Sequence, residues 1–329
     1  MRYPQIASAF YNTPWFLTRE KMAEIDMFVR QGLDGARVEL SGERLESWRA
    51  AQSQAQSRAE RTSSSIAVIP IRGVLMQRPD VFDELFGASS ILRLTKTFRG
   101  ALAEPEVKTI LFDVDSPGGS VFGIEEFSAE IFAARGRKRM VAVSNSQMAS
   151  AAYYLASAAD EVVASPSSDS GSIGIISLHL DFSKATELEG VKPTWITYGQ
   201  FKAEGNQLEP LGEEAQAFWQ QRVDEYGEMF VKAVARNRGI TPKEVRENYG
   251  QGRSFGAKEA KQRGMADRVA SFDETLERLR TGGPSGSVRS VAMALERERV
   301  NIAAVAAGVR LPHVERELQR ERLAIDRLS

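Results

Sequence analysis

Apolar and polar positions follow two different periods along this chain. Near the N-terminus, Thr18 precedes apolar residues at Met22, Ile25, Met27, Phe28 and Val29, a spacing that predicts a short helix with Thr18 as its N-cap. Between residues 41 and 65 the apolar positions thin out into Ser, Gln, Ala and Arg, and the end of this stretch reads as a flexible linker. At Ile66 the period changes. The segment from Ile66 is apolar and β-branched, a buried strand that turns at Arg72 and Gly73 and then continues. Residues 89–104 return to helical spacing. Residues 107–119 predict a strand running into a Pro-Gly-Gly loop, 123–138 an amphipathic helix, 139–147 a strand and 148–160 a helix. Two short strands around a polar turn follow, over 161–176. This repeated strand–loop–helix order predicts an α/β fold with parallel pairing.

Residues 211–248 carry Phe218, Trp219, Val223, Tyr226, Met229, Phe230 and Val234 at near-helical spacing, apt for packing or for subunit contact. Short helices and a terminal strand over 266–270 close the core. Residues 281–287 form a second linker, and 288–329 alternate Arg and Glu in a charged helical tail. The chain therefore divides into a helical N-terminal appendage (1–40), a linker (41–65), an α/β core (66–280), a linker (281–287) and the tail (288–329).

Composition narrows the chemistry. Hydrophobic residues make up 42% of the 329, enough for a sizeable core. With 43 basic and 44 acidic side chains, no field favours nucleic acid or an anionic membrane as partner. The absence of cysteine excludes thiol nucleophiles, zinc–thiolate sites and disulfides. The only histidines are His179 and His313, so a metal site or a histidine mechanism would be sparse. The N-terminus has no basic region followed by an apolar one, and no run is long enough for a membrane helix. A soluble, cytoplasmic protein without cofactor or metal is the expectation.

Three segments carry candidate chemistry. Ser150 lies in Met148-Ala-Ser-Ala-Ala-Tyr-Tyr154, just after a strand, where a helix start favours developing negative charge; serine there is also an ordinary cap. Asp115-Ser-Pro-Gly-Gly119 places two glycines between strand and helix, fit either for a tight turn or for amides aimed at an oxyanion. A phosphate role is disfavoured because no GxxxxGK[ST] pattern is present. Lys202, in Tyr198-Gly-Gln-Phe-Lys-Ala-Glu-Gly-Asn206, is either a surface charge or a base whose amine the flanking aromatics desolvate.

Taken in order, these segments resemble the signal-peptide-peptidase-A family of serine proteases. Ile69-Pro-Ile-Arg-Gly73, Ser170-Gly-Ser-Ile-Gly174, Gly199-Gln-Phe-Lys202 and Gly252-Arg-Ser-Phe-Gly-Ala-Lys-Glu-Ala260 extend the likeness over about residues 66–275. The resemblance implies a ClpP/crotonase-like α/β fold of repeated ββα units with a parallel sheet, flanked by the helical appendage and tail. It implies a serine endopeptidase with Ser150 as nucleophile and Lys202 as general base, in a Ser/Lys dyad. Backbone N–H groups of Gly118, Gly119 and Ala151 would form the oxyanion hole, with Ser170 and Ser172 as supporting candidates. It also implies a homo-oligomeric ring in which the dyad can be completed across subunits. Where relatives often have Ser-Gly-Gly, this chain has Ser150-Ala-Ala152.

Phe10-Tyr-Asn-Thr-Pro-Trp15 and the helix after it resemble the opening of tailed-phage head-maturation proteases of the same family. That branch implies scaffold or capsid proteins as substrates, in the host cytoplasm or an assembling procapsid, and a scaffold-like role for the tail. Three other readings remain at this point. One is a ClpP-like Ser/His/Asp peptidase using His179 and Asp181. Another is a crotonase-like acyl-CoA enzyme, for which Asp113 and Asp115 are available carboxylates. The third is a non-catalytic scaffolding protein on a protease fold.

Overall fold

The computed structural model describes Tyr11 and residues 14–33, 65–78 and 88–282. All of them lie within the first of two compact units, residues 1–285. Most of the two linkers (41–64 and 283–287) and the 288–329 tail lie outside the described residues.

The described chain begins with β1 (Trp15–Leu17), α1 (Arg19–Leu33), β2 (Ile66–Arg72), β3 (Leu75–Met76), β4 (Ser89–Ser90) and α2 (Ile91–Ala103). Next come β5 (Thr109–Ser116), β6 (Gly118–Ser120), α3 (Ile124–Ala133), β7 (Arg139–Ala149), α4 (Ala151–Ala156), β8 (Glu161–Ala164) and β9 (Asp169–Gly171). The remainder is α5 (Ser183–Leu188), α6 (Glu213–Arg238), α7 (Pro242–Asn248), β10 (Ser254–Gly256), α8 (Ala257–Gln262), β11 (Arg268–Val269) and α9 (Phe272–Arg280).

The predicted α/β fold with a parallel sheet is the fold observed. Strands β2, β5 and β7 run parallel, with β2 at one edge, Ile66–Arg72 beside Thr109–Asp115 and Thr109–Val114 beside Arg139–Ser144. Strand β7 is 11 residues long and forks. Its first half pairs with β8, and its last three residues pair with β9. Strand β5 and the first half of β7 are buried because helices cover both faces, which is why Thr109–Phe112 and Met140–Val143 read as unbroken apolar or β-branched runs. On one face Phe98 of α2 packs on Phe112 and Phe127 at centroid distances of 6.0 and 5.8 Å. On the other, Leu111, Val141, Val143 and Val163 meet Leu279 of α9.

A second, small sheet is ordered β1-β6-β3-β4. It continues the ends of β2 and β5, the first through Gly73 at φ 61° and the second through Pro117. Residues ahead of the first helix therefore include a strand. Thr18 caps that helix as predicted, its Oγ1 accepting the Lys21 N–H at 3.3 Å.

Two boundaries differ from the sequence expectation. The helix expected over 148–160 gives up its start to β7, which extends to Ala149, so α4 begins only at Ala151. The helix expected over 211–248 breaks after Arg238, because Gly239 adopts the left-handed conformation (φ 63°, ψ 40°) and Thr241 opens a new capping box with Pro242 in its first turn.

Partly buried arginines hold the elements that carry α4. Arg135 donates to the carbonyls of Ser157, Ala158 and Ala159 at the end of α4, at 3.1, 2.9 and 2.7 Å, and to that of Asn237 at 2.8 Å. Burial pulls its pKa down to about 10, so it keeps its charge at neutral pH. Fully buried Glu161 receives Arg139, Arg268 and Arg278 at 3.2, 3.3 and 2.8 Å, tying β8 to β7, β11 and α9. Arg135→Ala leaves these α4 carbonyls without donors and is expected to cost about 3 kcal/mol, read from chemical denaturation. Arg135→Lys should recover only part of this, since an ammonium cannot fork across several acceptors.

Candidate active site

Ser150 alone makes the turn from β7 into α4. Its φ of 52° and ψ of −117° lie in a region that residues with side chains rarely visit, at a cost of roughly 1–3 kcal/mol. Neighbouring backbone holds it there. Its N–H donates to the Gly171 carbonyl at 2.7 Å, and its own carbonyl accepts the Tyr154 N–H at 2.9 Å. Its hydroxyl does not cap the helix, so the ordinary role of a serine at a helix start is absent. Oγ is buried and has no hydrogen-bond partner, in a location where an unsatisfied hydroxyl costs about 1–3 kcal/mol. Strain and an unpartnered hydroxyl thus coincide at one residue, the combination expected of a nucleophile held on a tight strand-to-helix turn.

The two glycines of the loop sit against it. A β-carbon on Gly118 would lie 2.9 Å from Ser150 Cβ, 3.1 Å from the Ala151 nitrogen and 2.1 Å from the Phe16 carbonyl oxygen, and the backbone there has φ 103°. Only glycine lets these three groups converge. The Ala151 N–H belongs to the first turn of α4, where amides have no acceptor within the helix. The Gly118 N–H donates to Ser116 Oγ at 3.1 Å, and Ser116 Oγ donates in turn to the Gly73 carbonyl at 2.6 Å. Gly119 is clamped between β1 and β3, with a would-be β-carbon only 1.9 Å from the Leu75 carbonyl oxygen. Gly119→Ala should therefore split β3 from β6 and cost about 3 kcal/mol or more in thermal unfolding. Gly100→Ala, where an added methyl meets nothing within 4 Å in a helix, should instead stabilise the chain by up to about 1 kcal/mol.

Ser170 and Ser172 flank Gly171, the acceptor of the Ser150 amide. Ser170 is buried with Oγ unpartnered, and Ser172 takes φ 54° while its N–H bonds the Arg253 carbonyl at 2.8 Å. These two serines border the nucleophile through backbone.

Lys202 is not brought to Ser150 within one chain. It lies in an exposed turn after α5, its N–H bonded to the Gly199 carbonyl at 3.2 Å. The aromatics expected to desolvate it are themselves exposed, Tyr198 fully and Phe201 by 52%. The arm that carries the turn rests on α6, where Gly205 (φ 68°) takes Trp219 against its backbone and His179 meets the same indole edge-on at 5.6 Å. Burial holds the His179 pKa below its ordinary value, and Asp181 receives the Ser183 N–H at 2.8 Å. Since Ser150 Oγ has no partner, neither Lys202 nor His179 bonds to it. Asp113, offered as a possible catalytic carboxylate, is instead ion-paired to Arg72. Among the described residues no cluster of three or more His, Asp or Glu side chains is arranged to hold a metal ion. No described helix is long and apolar enough to cross a membrane.

Residue-level reading missed Trp15–Leu17, the strand whose Phe16 carbonyl reaches Gly118. Three consecutive apolar residues carry no measurable period, and their pairing with β6 spans about a hundred residues of chain.

Residues 133–283 match the family described as Peptidase family S49. This segment includes Ser150, Ala151, Ser170, Ser172 and Lys202, while the glycine loop and β1 precede it. The chain is 28% identical over 225 residues to capsid assembly protease C of Escherichia phage lambda, covering 68% of this chain and 51% of that protein. It is 29% identical over 225 residues to the head-tail preconnector protein GP5 of Enterobacteria phage P21, covering 68% and 44%. It is 32% identical over 217 residues to protease 4 of Salmonella typhi, covering 65% and 34%. The chain thus spans between a third and a half of the length of these relatives.

Proposed function

We propose that this chain, which carries the peptidase family S49 segment over residues 133–283, is a serine endopeptidase with Ser150 as nucleophile and Lys202 as general base. The observation that carries the reading is the strained Ser150 turn with its buried, unpartnered hydroxyl beside Gly118. On this reading residues 66–280 are the protease core, and the 288–329 tail is a scaffold-like piece. The substrates are scaffold or capsid proteins cut during phage head assembly, a role supported by the similarity to the lambda and P21 proteins.

The Lys202 amine takes the Ser150 proton as Oγ attacks the scissile carbonyl carbon. The oxyanion receives the Ala151 N–H and backbone N–H groups of the Gly118–Gly119 loop, that of Gly118 turning to it from Ser116 Oγ. Collapse of the tetrahedral adduct breaks the C–N bond, the departing amine takes the proton from Lys202, and water then hydrolyses the acyl-enzyme with Lys202 again as base.

Lys202 comes from a neighbouring copy in a homo-oligomeric ring. Its exposure in the single chain supports this, as do Leu188, Ile196 and Tyr198 on the same arm at 90, 95 and 100% exposure, an apolar surface of the kind that marks interfaces. Incubating the full chain with a scaffold protein and reading fragments by intact mass tests the function. Cleavage that persists unchanged in Ser150→Ala would rule the reading out.

A further inference from the structure

Ser150 is closed off from solvent, and the chain's own strand β1 lies against it, the Phe16 carbonyl oxygen and Ser150 Cβ both crowding the place of a Gly118 β-carbon. Trp15–Leu17 pairs antiparallel with β6, in the register Trp15 to Ser120, Phe16 to Gly119 and Leu17 to Gly118. Its other edge is also taken, by two bonds between Trp15 and Ile176 at 2.8 and 3.0 Å. Thr18 then donates to the Pro117 carbonyl at 3.0 Å. A three-residue strand is thus held on both edges by main chain alone, as an added peptide strand is held in a cleft between two strands.

Side chains complete the likeness to a bound peptide. The Phe16 ring is buried between Tyr154, one helical turn beyond Ser150, and Phe230 of α6, at centroid distances of 5.5 and 5.0 Å. Tyr154 and Phe230 themselves stack at 4.6 Å, forming an apolar pocket beside the nucleophile. The Phe16 carbonyl oxygen points to the spot where Gly118, Ser150 Cβ and the Ala151 nitrogen converge. A polypeptide bound for acyl transfer would present its reacting carbonyl there, with the same residue's side chain in the Tyr154–Phe230 pocket.

We propose that the groove between β6 and Ile176 is a strand-accepting peptide site selective for an aromatic residue at the Phe16 position, and that β1 is its resident occupant, which a substrate must displace. This rests on the proposed function for its identification of the groove with the substrate cleft. Main-chain pairing takes an extended segment of any sequence, while the pocket admits a ring, so the ligand class is an extended peptide with Phe, Tyr or Trp at that one position. Because the resident strand competes within the same molecule, the affinity for an incoming peptide falls by the fraction of time β1 is out.

The test uses the full chain carrying Ser150→Ala, so that bound peptide stays intact, and a fluorescein-labelled peptide with the sequence of residues 11–18. Adding Phe16→Ala to this chain should raise its affinity for the peptide about tenfold or more by fluorescence anisotropy, because the resident strand loses its anchor. Replacing the aromatic at the Phe16 position of the peptide with alanine should weaken its binding to the Phe16→Ala chain about tenfold or more. Equal affinities of the two chains, or binding by neither, overturn the proposal. Should Phe16→Ala fail to fold by circular dichroism, hydrogen exchange on the Ser150→Ala chain with Phe16 intact decides. Excess peptide should then speed exchange at the displaced Trp15 amide, while the Ile176 amide, covered by the incoming strand, stays protected, and unchanged protection of Trp15 overturns the proposal. Neither measurement needs a working nucleophile. Displacement of β1 without any proteolysis by the wild-type chain would therefore sink the proposed function and leave the peptide site standing, and the reverse holds as well.

Discussion

Ser150→Ala is expected to lower kcat/KM on a scaffold-protein substrate about ten-thousandfold while leaving the unfolding midpoint unchanged or slightly raised. The two halves of this expectation come from the same geometry. Removing a nucleophile eliminates the covalent route, and what survives is the contribution of binding and the oxyanion donors. For stability, the hydroxyl has no hydrogen bond to lose, and deleting an unsatisfied buried donor removes a desolvation cost of about 1–3 kcal/mol. Alanine at φ 52° is no more strained than serine, so the backbone contribution cancels. Intact-mass progress curves and urea denaturation on the same preparations read both quantities. If Ser150→Ala cleaves within tenfold of wild type, or loses about 2 kcal/mol or more, Ser150 is a structural residue and the catalytic reading fails.

The parallel sheet was legible in the sequence because its strands are buried on both faces. Thr109–Phe112 and Met140–Val143 are unbroken β-branched or apolar runs, and the strand each belongs to is followed by a helix. The glycine loop was legible as a position where backbone must come close to something. What it approaches was not, because Phe16, Ser150 and Leu75 reach Gly118 and Gly119 from distant parts of the chain. Ser150 itself stands out only once the backbone is known. Its segment reads equally well as a capped helix, and the positive φ that separates the two readings comes from β7 running on to Ala149 and from the Gly171 carbonyl that holds the Ser150 amide. The break after Arg238 was encoded by Gly239 and Pro242, but apolar spacing alone runs straight across it. The aromatics of that helix divide by position, Phe230 buried against Tyr154 and Phe218 exposed, a split that periodicity along a single helix does not reveal.

Lys202→Ala is expected to reduce kcat/KM by about a thousandfold or more, since a serine hydroxyl without a base is a poor nucleophile, and mixing it with Ser150→Ala is expected to bring activity back. One chain holds Ser150 buried and Lys202 on an exposed arm with Tyr198 fully and Phe201 half exposed, and on the proposed reading another copy covers that arm. On the proposed reading, a head-to-tail interface around a ring gives every nucleophile the arm of the next copy. In an equal mixture that exchanges freely, a Ser150→Ala copy can lend its intact Lys202 to a Lys202→Ala copy, whose Ser150 is intact. Random neighbours then rebuild about a quarter of the sites. A dyad formed inside one chain rebuilds none, because each copy lacks one member. Recovery of proteolysis near that fraction, absent in either variant alone and lost when Tyr198 and Ile196 are replaced by serine to strip the arm of its apolar surface, would establish the shared site. Persistent silence of the mixture, with each variant assembled to wild-type mass, would place both members of the dyad in one chain and require the arm to fold back over its own Ser150.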